Sequence, residues 1–137
     1  VIVQALEVYL ETLGLGMTFA WDNVVFPPVG GAAQVDPYIR VMHLPVDTNP
    51  LTIGRHGVMD TEGILVLGLN YPAGEGSGAA LSKADELAGY FQPGSSLPAG
   101  SGHIVVSRTT VGSKEPSSQP DWWILPVTVY FNAYHNY

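Results

Sequence analysis

From Glu62 to Tyr71 apolar side chains occupy both alternating faces of an extended segment, Ile64 and Val66 on one and Leu65, Leu67 and Leu69 on the other. Successive side chains of a strand point to opposite faces, so a strand of this kind has to be covered on both sides. The last strong segment, Trp122 to Tyr130, poses the same problem with larger groups. Trp123, Leu125, Val127, Val129 and Phe131 fall on one face, and Trp122, Ile124 and Tyr130 on the other. A chain of 137 residues with two helical patterns can cover one sheet face from within. The second face is covered either by another subunit, since large aromatics are enriched at interfaces, or by the 17–35 loop packing over Trp122. Pro126, which has no N–H to give a ladder, predicts an edge position or a bulge for this strand.

The remaining chain supplies the other elements. Ile2, Leu6, Tyr9, Leu10 and Leu13 recur at helical spacing within Val1–Leu13, and Gly14 and Gly16 end the helix. Met17 to Val35, with Phe26-Pro27-Pro28 and Gly30-Gly31, reads as an ordered loop or extended segment. Pro37 to Leu44 predicts a first strand, and Pro45 to Asp60, with two prolines and two glycines, a long connection. After the loop from Pro72 to Gly78, Leu81, Ala84, Leu87, Ala88 and Phe91 form a helical stripe, with Ser82 and Asp85 spaced as a capping box and Pro93-Gly94 as the stop. His103 to Thr110 and Trp122 to Tyr130 are strands flanking a polar hairpin loop, Val111 to Pro120. The expectation is one α+β domain over residues 1–137: a mostly antiparallel sheet of about four to five strands with two helices on one face, and extended loops at 45–60 and 111–120.

Composition removes several kinds of chemistry. Cysteine is absent, which excludes disulfides, thiolate metal sites and cysteine nucleophiles. Twelve acids oppose five bases (Arg40, Arg55, Lys83, Arg108, Lys114), a net charge of −7 that disfavours a phosphate-gripping surface. No apolar run approaches the ~18 residues of a membrane helix. The N-terminal stretch has no basic region and does not read as a signal peptide, and a start at Val1 rather than Met is expected of a processed or trimmed form. Gly74-Glu75-Gly76-Ser77-Gly78 sits between a strand and a helix, but its spacing is wrong for a dinucleotide fingerprint and Glu75 would repel a pyrophosphate. His43, His56, His103 and His135 lie in four different segments without metal-binding spacing, and no Gly-x-Ser-x-Gly elbow occurs. Asp60 and Glu62 resemble paired carboxylates only in spacing; solvated strand-end acids are the simpler reading. No catalytic residue, cofactor or metal is expected.

Several fragments occur in a telling order: Trp21-Asp22-Asn23 with Phe26-Pro27-Pro28; Pro37-Tyr38-Ile39-Arg40-Val41; Tyr71-Pro72-Ala73-Gly74 with Gly76, Gly78 and Ala79; Ala84-Asp85 with Leu87 and Phe91; Asp121-Trp122-Trp123 with Pro126-Val127. The set resembles the tail terminator proteins of long-tailed bacteriophages, from the first helix to about Phe131. The resemblance implies a structural virion subunit that forms a homohexameric ring on the tail tube, stops its growth and meets the head connector, with DNA passing through the ring without specific binding. Another neck or tail-tube ring component is the nearest alternative, and a small ligand-binding or hydrolytic domain using Gly74 to Gly78 the more distant one. Partner contacts are expected at Trp122, Ile124 and Tyr130, and on the charged residues of the two long connections, Asp47, Arg55 and Asp60 in one and Lys114 and Glu115 in the other. The acid excess either keeps a DNA-conducting lumen free of grip or simply solubilises an apolar subunit. The long 45–60 connection and the aromatic stretch Tyr134 to Tyr137 depart from the family pattern.

Overall fold

The computed structural model describes residues 2–14, 17–21, 37–50, 57–72, 78–99, 102–112, 115–116 and 122–136. Among them the chain runs α1 (Ile2–Thr12), β1 (Thr18–Ala20), β2 (Tyr38–Pro50), β3 (Val58–Pro72), α2 (Gly78–Tyr90), β4 (Ser96–Ala99), β5 (Gly102–Val111), β6 (Glu115–Pro116) and β7 (Trp122–Asn136). Seven strands form one sheet in the order β1-β2-β3-β7-β5-β4, with β6 paired to β7. Every pairing is antiparallel except β1 with β2. The α+β class agrees with the sequence reading; the strand count is higher because β1, β4 and β6 are two to four residues long, too short to show a period.

The two apolar segments become the central strands β3 and β7, paired over fifteen residues each from Val58↔Asn136 to Pro72↔Trp122. Leu65, Leu67 and Leu69 of β3 and Leu125, Val127, Val129 and Phe131 of β7 enter one core with Leu6 and Leu10 of α1 and Ala80, Ala84, Leu87 and Phe91 at α2. Both helices thus lie over the same sheet face, and Tyr9 meets Phe91 edge-on at 5.5 Å between ring centroids. On the opposite face Gly68 and Asn70 are buried but Ile64 and Val66 are only half-covered. The double burial demanded by the sequence is therefore met at one end of β3 and left incomplete at the other.

Four local expectations need correction. Pro45 to Asp60 is not a loop throughout: β2 runs on to Pro50 and β3 begins at Val58, so the two strands continue as a hairpin arm whose Thr48 and Thr61 hydroxyls are 3.1 Å apart. A bulge between Pro45 and Asp47 absorbs the proline that had suggested a break. In the Val111 to Pro120 segment, β6 adds two residues to β7. Ser82 is no helix cap, because α2 starts at Gly78; the buried stripe is Ala80, Ala84, Leu87, Phe91, and Leu81 stands 47% exposed. α1 stops as expected at Gly14, whose φ of 63° is the left-handed conformation a glycine tolerates.

Pro126 is the fourth correction, since β7 is a central strand rather than an edge. Gly112 N donates to Pro126 O at 2.8 Å, so the backbone polar groups of Pro126 face β5 and not β3. Its missing N–H falls where β5 has already ended at Val111, and the β3 ladder loses nothing. A β-carbon at Gly112 would lie 2.7 Å from Pro126 Cγ, which is why glycine stands at the handover from β5 to β6.

Candidate functional site

The sheet face away from the helices carries Ile124 and Tyr130, two of the residues expected to meet partners. Its rows follow from the strand registers: Leu44, Ile64, Tyr130 and Arg108 in one, and Met42, Val66, Thr128 and Thr110 in the next. Leu44 is 51% and Met42 41% exposed, so an apolar strip of β2 continues without cover from half-buried Ile64 and Val66. Tyr130 is half-buried beneath the Arg108 guanidinium, which lies 4.0 Å from the ring centroid. That contact combines cation–π attraction with apolar cover for the ring. Ile124 is half-buried on the same face, opposite Asn70 of β3 and Glu115 of β6.

A bulge in β5 makes the Arg108 contact possible. The register shifts between Val106 and Arg108, so Val106 pairs with Phe131 in the core while Arg108 pairs with Tyr130 on the open face. Strict alternation would have placed Arg108 on the same side as Ile104 and Val106. The bulged Ser107 donates its hydroxyl to Asn132 Oδ1 at 2.9 Å, and Asn132 Nδ2 donates to the Asp60 carboxylate at 3.0 and 3.3 Å. Ser107, Asn132 and Asp60 thus form one hydrogen-bonded chain across three strands. It borders a depression of about 310 Å³ lined by Glu62, Ile64, Tyr130 and Asn132. Neither Arg108 nor Asn132 was singled out from the sequence, since a bulge leaves no mark in a single sequence.

Among the described residues the expected contacts do not form one cluster. Ile124 pairs with Glu115 at the β6 end of the sheet, where Trp122 pairs with Pro72. Asp47 pairs with Glu62 and Asp60 with Asn49 in the arm toward the other end, and Tyr130 lies between the two groups. Arg55 and Lys114 lie outside the described residues, as do Gly74 to Ser77 of the glycine-rich loop and most of 17–35. Whether the 17–35 loop covers Trp122 falls outside them too. Among the described residues no three His, Asp or Glu side chains come together as a metal cage, and no helix is long and apolar enough to cross a membrane. His43 sits 3.8 Å from Glu7, and the His103 ring tilts against Tyr134.

On the helix side, burial raises the pKa of Tyr9 above the ordinary tyrosine value, with neighbouring Tyr90 adding to the shift, and its hydroxyl donates to Tyr90 O at 3.2 Å. Burial likewise raises the pKa of Tyr71, with Glu86 adding to the shift, and the hydroxyl points at Met17 Sδ, 3.8 Å away. Both groups hold helix-side packing together rather than offering a reactive phenolate.

The fold defines an α+β subunit with one sheet face under two helices and the other left partly open, its polar side chains bonded to one another across strands. This chain belongs to the phage tail terminator protein family, whose model matches residues 1–131. Its role is accordingly that of a structural protein of the phage tail. A solved structure 21% identical to the chain superposes with a TM-score of 0.67, covering 96% of this chain and 89% of the other, a likeness of fold. No curated protein matches.

Proposed function

We propose that the chain assembles as a homohexameric ring on the last ring of the tail tube, at the head-proximal end, stops tube growth there and presents the surface on which the head connector docks. The family match over residues 1–131 carries this reading. The strip of exposed Met42 and Leu44 beside half-buried Ile64 and Val66 supports it, because an apolar face left open on a subunit is the kind of surface that association covers. Ile124 and Tyr130 on that face, with Trp122, Asp47, Arg55, Asp60, Lys114 and Glu115, are the proposed contacts with neighbouring copies, tube and connector. The net charge of −7 suits a ring through which DNA slides, since a basic lumen would hold each phosphate it passed. Assembly takes place in the host cytoplasm, with the finished ring in the virion and no catalytic step.

The test is reconstitution of tail tubes with and without the purified protein. Tubes of fixed length with a ring at one end in electron micrographs are expected with it, and overgrown tubes without it. Unchanged tube lengths and bare ends would refute the proposal. A duplex retarded at micromolar protein in low salt would refute the free passage of DNA alone.

A further inference from the structure

We infer that the groove between α1 and β4 is a socket for a second copy of this chain, occupied by the end of the neighbour's β2–β3 hairpin arm. The inference rests on the ring reading above and names the contact that would build the ring. The groove encloses about 390 Å³ and is floored by Ala5, Val8, Tyr9, Leu97 and Pro98. Val8 is 58% exposed, more than any other large apolar side chain in the described residues.

Position in the sheet selects the occupant. The arm closes at Pro50↔Met59, β3 brings that end to Asn136 of β7, and β7 brings it through Tyr134↔His103 to Pro98 of β4. The arm end and the groove therefore lie at the same end of the strands. Within the strand order β2 and β4 lie on opposite sides of the sheet. Repeating the subunit by rotation about an axis along the strands brings the arm side of one copy to the groove side of the next at the same height. Such a head-to-tail contact closes into a ring.

Charge points the same way. Helix α1 has two acids, Glu7 and Glu11, and no Lys or Arg, and Glu11 follows Val8 by one helical turn. Between Asp47 and Asp60 the arm sequence has Leu51, Ile53, Arg55 and His56 and no acid. An apolar groove beside an acidic helix thus complements an apolar segment with a base. The contact is made by side chains rather than by adding a strand to β4. Val106 N donates to Ser95 O at 2.9 Å, which turns the amide positions of Ser96 and Pro98 outward, and Pro98 has no hydrogen to offer there.

The absence of native cysteine makes the test direct. Val8→Cys and Pro50→Cys are both at exposed positions, so neither empties the core, and equal melting temperatures verify this. The two single variants are mixed, allowed to assemble on tails and treated with a short bis-maleimide. A cross-linked dimer in the mixture, absent from either variant alone, is expected, and Arg55→Glu in the arm variant should remove it. Rings that form and cap tails while the mixture gives no dimer would overturn the socket and leave the ring reading standing. A Val8→Cys product with itself or with the tube protein would also overturn it, by assigning the groove another occupant. Wild-type protein that never assembles would overturn both.

Discussion

Gly63→Ala is a substitution whose sign the structure reverses. Gly63 sits in β3 without a positive φ, and alanine at such a position ordinarily stabilises by about 0.4–1 kcal/mol through the unfolded chain. Here the partner residue is Phe131, and a β-carbon on Gly63 would fall against its ring, 2.8 Å from Cε2, 3.1 Å from Cε1 and nearer still to Cζ. The ring is buried in the core and cannot swing into solvent. Overpacking of this kind costs about 1–3 kcal/mol. Taking the middle of each range, a net loss of about 1.3 kcal/mol remains after the unfolded-state gain is subtracted. A domain of this length unfolds with an entropy of about 0.29 kcal/mol/K, so the melting temperature should fall by about 4–5 °C. Calorimetry of both proteins at one concentration reads this without interference from assembly. Phe131→Leu should cost less in the Gly63→Ala background than in the wild type, because removing the ring removes the clash. A Gly63→Ala protein that melts at or above the wild type would refute the packing argument.

Asn132→Ala should cost about 1–2 kcal/mol in a urea melt, because it strips both Ser107 and Asp60 of a partner; a midpoint equal to wild type would show that water replaces these bonds freely. Phe91→Ala, at a fully buried ring, should cost about 3–5 kcal/mol and leave Tyr9 without its edge contact, and a loss below about 1 kcal/mol would contradict the core placement. Tyr9 and Tyr71 are raised above 10, so their contribution is complete below pH 10, where the unfolded chain begins to ionise, and is lost as pH rises through the folded values. The melting temperature should therefore decline above pH 10, and Tyr9→Phe with Tyr71→Phe should flatten that decline; an unchanged slope would refute the assignment.

Much of the fold was legible in residue periodicity. Leu65, Leu67 and Leu69 against Ile64 and Val66, and the odd-numbered run from Trp123 to Phe131, are patterns at the period of a strand, and they placed one face of β3 and β7 correctly because burial acts on each side chain separately. The helices were equally readable from Leu6 and Leu10 and from Ala84, Leu87 and Phe91. Lack of cysteine and the acid excess also needed no structure to exclude thiolate chemistry and disfavour a phosphate grip. Tertiary structure alone decided what depends on register. Pro126 became admissible in a central strand because β5 ends beside it, and the arm from Pro45 onward stayed paired because a bulge absorbed a proline. Arg108 reached Tyr130 because the register slips by one residue at Ser107. A register is a relation between two distant segments, and a slip of one residue exchanges the faces of everything beyond it. Local periodicity identifies which residues want to be buried; pairing across the sheet determines which side chains they meet.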